Sequence, residues 1–211
     1  MGASRIALAT SIEASCLPER LPRIRLHHSE AVRVMAQLGF QGAAGKATFY
    51  EYIKSLRKLG IPFDRGKIGI QRRGRANYSY CHLMELALAL TTRVYYFVPD
   101  TVLNGIVRHR HVLYRYYRRA YADRNSGIGA QITVSVPHLA PITVRGVFLD
   151  LRIDFSGGIL TRFGPAILLP PYQALATFAD RDVAARALLP INLSLLAERM
   201  ASIALRSHHS N

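Results

Sequence analysis

The sequence is short of thiols, of acids and of long apolar runs. Two cysteines, Cys16 and Cys81, are too few for a disulfide framework or a thiolate metal cage. Both read as free thiols in a reducing cytoplasm. No run of about 18 uninterrupted apolar residues occurs, so no membrane span is expected. The N-terminal run Ile6-Ala7-Leu8-Ala9 is short for a signal peptide and reads as an arm or a short packed strand. Patterns of common catalysis are missing too: there is no P-loop, no dinucleotide fingerprint and no Ser-His-Asp order. His109 and His111, two apart in a helical stretch, point to different faces. His27-His28 and His208-His209 lack carboxylate or cysteine partners at ligand spacing. Asp150, Arg152 and Asp154 alternate on one strand face, where a solvated sheet surface is the simpler reading than a site. The expectation is a protein that is not an enzyme and carries no metal or cofactor.

What is present in excess is positive charge. Thirteen acidic residues face 28 Lys and Arg, for a net charge of +15. The imbalance is local: residues 20–75 hold 13 Lys and Arg against 3 acids, whereas residues 125–211 hold 7 against 5. A basic half joined to a near-neutral half suggests a polyanion-binding module attached to something else. A generally basic protein with no nucleic-acid partner is the other reading.

Residues 1–28 read as an N-terminal arm, broken by Pro18 and Pro22. Ser29 opens a helical pattern as a candidate N-cap, with Ala31, Val32, Val34, Met35 and Leu38 as its apolar stripe and Gly39 at its end. That predicts helix one at about 29–38. The segment 40–45 is a tight turn. Helix two runs over about 46–59, with Phe49, Ile53, Leu56 and Leu59 on one face, and is stopped by Gly60 and Pro62. Two helices about a short glycine turn make a helix-turn-helix whose second member is the natural recognition helix. A strand over 67–71 and a turn carrying Arg72, Arg73 and Arg75 follow, with Tyr78-Ser79-Tyr80 as the return. For each arginine a solvated turn is the simpler alternative. A mostly apolar core helix begins at Tyr80, capped by Ser79, and a fourth helix spans about 99–123. Asn125–Gly129 reads as a linker. Beyond it, strands are expected over 131–136, 142–155 and 159–169, then helices over 172–179 and 190–206.

The stretch from Ser29 to about Val107 resembles the MerR family of winged-helix regulators. The residues that carry the resemblance are the helix-turn-helix, the recognition helix Thr48-Phe49-Tyr50-Glu51-Tyr52 ending at Leu59-Gly60-Ile61, the basic wing, and the exit Ala76-Asn77-Tyr78-Ser79 leading into a helix. The fold expected is α+β: an N-terminal winged helix-turn-helix (29–97) with a following helix pair, a linking or dimerisation helix (98–124), and a small C-terminal α+β domain (130–211). Of these, only the winged helix-turn-helix and its helix pair come from the resemblance; the helix over 98–124 and the α+β domain over 130–211 are read from the residue pattern, and the resemblance matches nothing beyond about Val107. The resemblance implies that Lys46, Thr48 and Tyr50 approach the major groove and that Lys54 and Arg57 lie near phosphates. Arg65, Lys67, Arg72, Arg73 and Arg75 would act as the wing, with Tyr78 and His82 at backbone beside its exit. Lys46 and Thr48 are the candidates for base readout, although Thr48 serves equally well as the helix N-cap. The function expected is a dimeric, sequence-specific, double-stranded DNA-binding transcription regulator of the cytoplasm, associated with the nucleoid. The region 130–211 is then left for oligomerisation, contact with RNA polymerase or another protein, or ligand sensing. The alternative is an accessory or architectural protein of replication, segregation or recombination that uses the same head.

Overall fold

The chain enters the described region as an extended segment in which Ile24 and Leu26 turn inward and Arg23 and Arg25 turn out. A computed structural model describes residues 21–63, 77–126, 131–134, 142–145, 148–156, 159–169 and 186–209. Leu26 exchanges backbone hydrogen bonds with Tyr78 (3.1 and 2.7 Å), which pins the segment just before α1, His28–Gln37. The carboxylate of Glu30 accepts the His27 backbone N–H at 2.6 Å and secures the start of that helix. Gly39, at φ +99°, ends it, and a short helix α2, Phe40–Ala44, occupies the stretch expected as a turn. Gly45, also at positive φ, then admits α3, Lys46–Leu59.

Helix α4, Tyr80–Tyr96, is the centre of the molecule. Leu83, Met84, Leu86, Ala87, Leu88, Ala89 and Leu90 are all buried, so apolar surface points to every side. A helix of that kind is stable only when surrounded. Its neighbours are α2, α3, α5 (Asp100–Arg108), α6 (Arg110–Ser126) and α7 (Leu193–His209). The single helix expected over 99–123 is two, because the backbone leaves helical geometry at His109 (φ −99°, ψ 12°). Helix α7 lies 67 residues further along the chain from the end of α6, yet it packs on α1, α4 and α6. Its Ala197, Met200, Ala201 and Ala204 share one core with residues of α1 to α6.

Between α6 and α7 lie β1 (Gln131–Val134), β2 (Ile142–Arg145), β3 (Phe148–Ser156), β4 (Ile159–Leu169) and β5 (Arg186–Asn192). β1 pairs with β2; β3 is flanked by β4 and β5, all antiparallel. Leu149 and Ile191, directly opposite in the β3–β5 pair, are both buried in the helical core. Pro190 lies inside β5, so the expected helix from 190 begins only at Leu193. The expected helix over 172–179 lies outside the described residues.

The expectation of an α+β chain headed by a winged helix-turn-helix is overturned. The described part is mostly helical, and among the described residues near α3 only the Leu26–Tyr78 pair has strand character; the expected wing over 67–76 lies outside them. The physical reason is the all-round burial of α4. Its neighbours, including α7 from beyond the strands, close over it and share one core with it, so the helices do not divide into a head and a separate C-terminal domain. The apolar face of α3, expected to pack on helix one, meets α2, α4 and α5.

Candidate nucleic-acid interface

Helix α3 divides cleanly into two faces. Phe49, Ile53 and Leu56 are buried at spacings of four and three, and Leu59 is half-buried. Lys46, Thr48, Tyr50, Lys54, Arg57 and Lys58 are exposed. Spacings of four, four and three place Lys46, Tyr50, Lys54 and Arg57 along one stripe. Thr48 lies about half a turn away from Lys46, on the opposite edge of the exposed surface. It is also the third residue of the helix. Gly45 holds the N-cap position, so Thr48 is not the cap. Gly45 brings no side chain to the first turn and no acid lies there, which leaves the positive end of the helix dipole uncompensated. Glu51 is the one acid on α3; it meets Lys54 at 3.5 Å, with both side chains well exposed, so the pair is weak and screened. Tyr50, 49% exposed, rests edge-on against Phe49, with ring centroids 5.5 Å apart.

Three polar contacts hold α3 against the helices behind it. Arg93 of α4 stacks over the Tyr52 ring at 4.8 Å. Ser55 donates to Asp100 Oδ2 at 2.8 Å, and Asp100, in the first turn of α5, pairs with Arg93. At the end of the helix, Arg110 Nη2 donates to the carbonyl of Gly60 at 2.6 Å. The same guanidinium forks onto Glu85, with Nε at 2.9 and 3.1 Å from the two carboxylate oxygens and Nη2 at 2.7 Å. Glu85 is fully buried. This junction ties α3, α4 and α6 together. Burial first, and then the charge of Glu85, pushes the hydroxyls of Tyr114 and Tyr117 upward in pKa, so both stay protonated. Burial likewise raises the Cys81 thiol, which makes it unreactive. The sequence reading missed Glu85, Arg93, Asp100 and Arg110. One signal for Glu85 was available: it is the single acid in the apolar run Tyr80–Leu90.

Tyr78 and His82 stand apart from the α3 stripe. Tyr78 is 2% exposed, and its hydroxyl lies 2.9 Å from Nδ1 of His28. His82 Nδ1 accepts the Ser79 backbone N–H at 3.2 Å, and its ring packs on Phe63, which also packs on Tyr78 (4.6 and 4.9 Å between centroids). His28 Nε2 is 3.5 Å from Arg57 Nη1. A guanidinium only donates, so Nε2 is the acceptor and Nδ1 carries the proton toward Tyr78. Burial, and secondarily Arg57, hold the His28 pKa below its ordinary value. The contact also places the C-terminal end of the α3 stripe beside the start of α1. Arg65, Lys67, Arg72, Arg73 and Arg75 lie outside the described residues.

The structure therefore gathers Lys46, Tyr50, Lys54 and Arg57 on one exposed stripe, joined by Lys58, on a helix braced from behind. Among the described residues no helix is long and apolar enough to cross a membrane, and no group of three or more His, Cys, Asp or Glu is placed to hold a metal ion. Comparison with protein-family models, with curated proteins and with solved structures finds no match to this chain.

Proposed function

We propose that this protein binds double-stranded DNA through α3 and regulates transcription as a dimer, within the nucleoid. The observation that carries the proposal is the stripe Lys46–Tyr50–Lys54–Arg57 on a braced helix of a chain whose net charge is +15. From Lys46 to Arg57 the helix rises about 17 Å, and a major groove about 12 Å wide admits a helix. A braced helix loses little further freedom on binding. Lys46 and Tyr50, at the N-terminal end, are the residues offered to base edges. Lys54 and Arg57 are offered to phosphates, where contacts supply affinity more than sequence choice. No covalent chemistry is required of any residue.

The test is the salt dependence of binding to random-sequence duplex. K54A/R57A should flatten the slope of log affinity against log salt by up to about two units, at about 0.9 per phosphate contact. An unchanged slope removes α3 from the interface. Tighter binding to RNA than to duplex DNA overturns the proposal. Genome-wide occupancy then resolves the role: a few promoter sites support a regulator, whereas broad or origin-proximal coverage replaces it with an accessory protein of replication or segregation.

A further inference from the structure

The extended segment before α1 carries two more cations of the same kind, and the fold fixes them next to the α3 stripe. Ile24 is 3% exposed and Leu26 1%, whereas Arg23 and Arg25, alternating with them, are exposed. The two Leu26–Tyr78 backbone hydrogen bonds hold the segment in place from behind. Among the described residues neither arginine forms an ion pair. Arg25 is three residues from His28, so their Cα atoms are at most about 11 Å apart. His28 in turn touches Arg57. Through His28, the exposed Arg23 and Arg25 thus lie near the C-terminal end of the α3 stripe.

We infer that Arg23 and Arg25 form a second contact element, which grips the sugar–phosphate backbone of duplex DNA beside the groove entered by α3. The inference rests on the proposal that the chain binds duplex DNA. Burial of Ile24 and Leu26 holds the backbone of both arginines before DNA arrives, so only side-chain freedom is lost on contact. The contact is electrostatic and indifferent to sequence.

Four variants measured on random-sequence duplex, across a salt titration, test it. R23A/R25A should flatten the slope by up to about two units, and R23K/R25K should retain it. R115A/R119A removes the same charge from exposed positions on α6 and should flatten the slope by less than half as much. K54A/R57A reports on α3. If R23A/R25A matches the wild type, or moves the slope no more than R115A/R119A does, the inference is overturned while the α3 proposal stands. If the wild type fails to bind duplex, or K54A/R57A binds as the wild type does, the DNA-binding proposal itself fails.

Discussion

Glu85 and Arg110 show how much a single pair settles. A fully buried carboxylate is tolerated because the guanidinium satisfies both of its oxygens and the Tyr114 hydroxyl adds a further hydrogen bond. Such a pair contributes little net stability against a well-packed apolar replacement, but breaking it strands a charge. Glu85→Gln should therefore cost on the order of 3 kcal/mol in urea unfolding, and the double replacement E85L/R110M should recover much of that loss. A single-variant loss below about 1 kcal/mol would place the pair among exposed ones in effect. His28 gives a pH dependence. Its folded pKa lies below the ordinary 6.5, through burial and then Arg57. The unfolded chain therefore takes up a proton more readily than the folded one as pH falls through 6.5. Its contribution is fully present above that pH and is lost progressively below it. His28→Gln should make thermal stability less sensitive to pH between 7.5 and 5.5; an unchanged sensitivity would assign the effect to other groups.

At the scale of elements, α3 was fully legible and its surroundings were not. Its bounds, its buried Phe49, Ile53 and Leu56, and its exposed basic residues all follow from the period of the apolar positions and the Gly60 stop. The short helix α2 was missed because Gly42 and Gly45 in 40–45 read as turn residues. The split between α5 and α6 was missed because, across the polar run 108–111, the apolar stripe resumes at Leu113 in phase with Ile106, and no Gly or Pro stands at His109 itself. Gly45 is the element that positions α3. It adopts φ +80° and ψ 149°, a region held almost solely by glycine, while a Cβ there would meet nothing within 4 Å. Backbone strain alone then decides, and Gly45→Ala should destabilise by about 2 kcal/mol. Gly42→Ala, in α2 with equally open space, should be neutral or stabilising by about 0.5 kcal/mol. Equal effects from the two substitutions in chemical denaturation would refute the role given to Gly45.

At the scale of the whole molecule, α7 completes the core formed by the other six described helices. Met200 is fully buried in the same cluster as Tyr80, Tyr117 and Leu83. Met200→Ala should lower stability by about 3 kcal/mol through lost burial and a residual cavity. With no tryptophan in the chain, tyrosine fluorescence reports unfolding, and the buried Tyr78, Tyr80 and Tyr117 lie outside α7. The tyrosine transition should shift with the mutation. A transition unmoved by Met200→Ala would mean that α7 unfolds separately.

The sequence by itself determined the local elements and the charge. The apolar period set α1, α3 and α4 nearly residue for residue, and the excess of Lys and Arg in residues 20–75 is a fact of composition. It also made α4 apolar on nearly all faces, which required that α4 be surrounded without saying by what. Only the tertiary structure decided that. Contacts between α7 and α1, α4 and α6 join residues far apart along the chain, and no local pattern encodes which buried face meets which. The same non-local packing put Tyr78 in the core opposite Leu26. It paired Glu85 with Arg110 behind α3 and left Lys46, Tyr50, Lys54 and Arg57 facing outward.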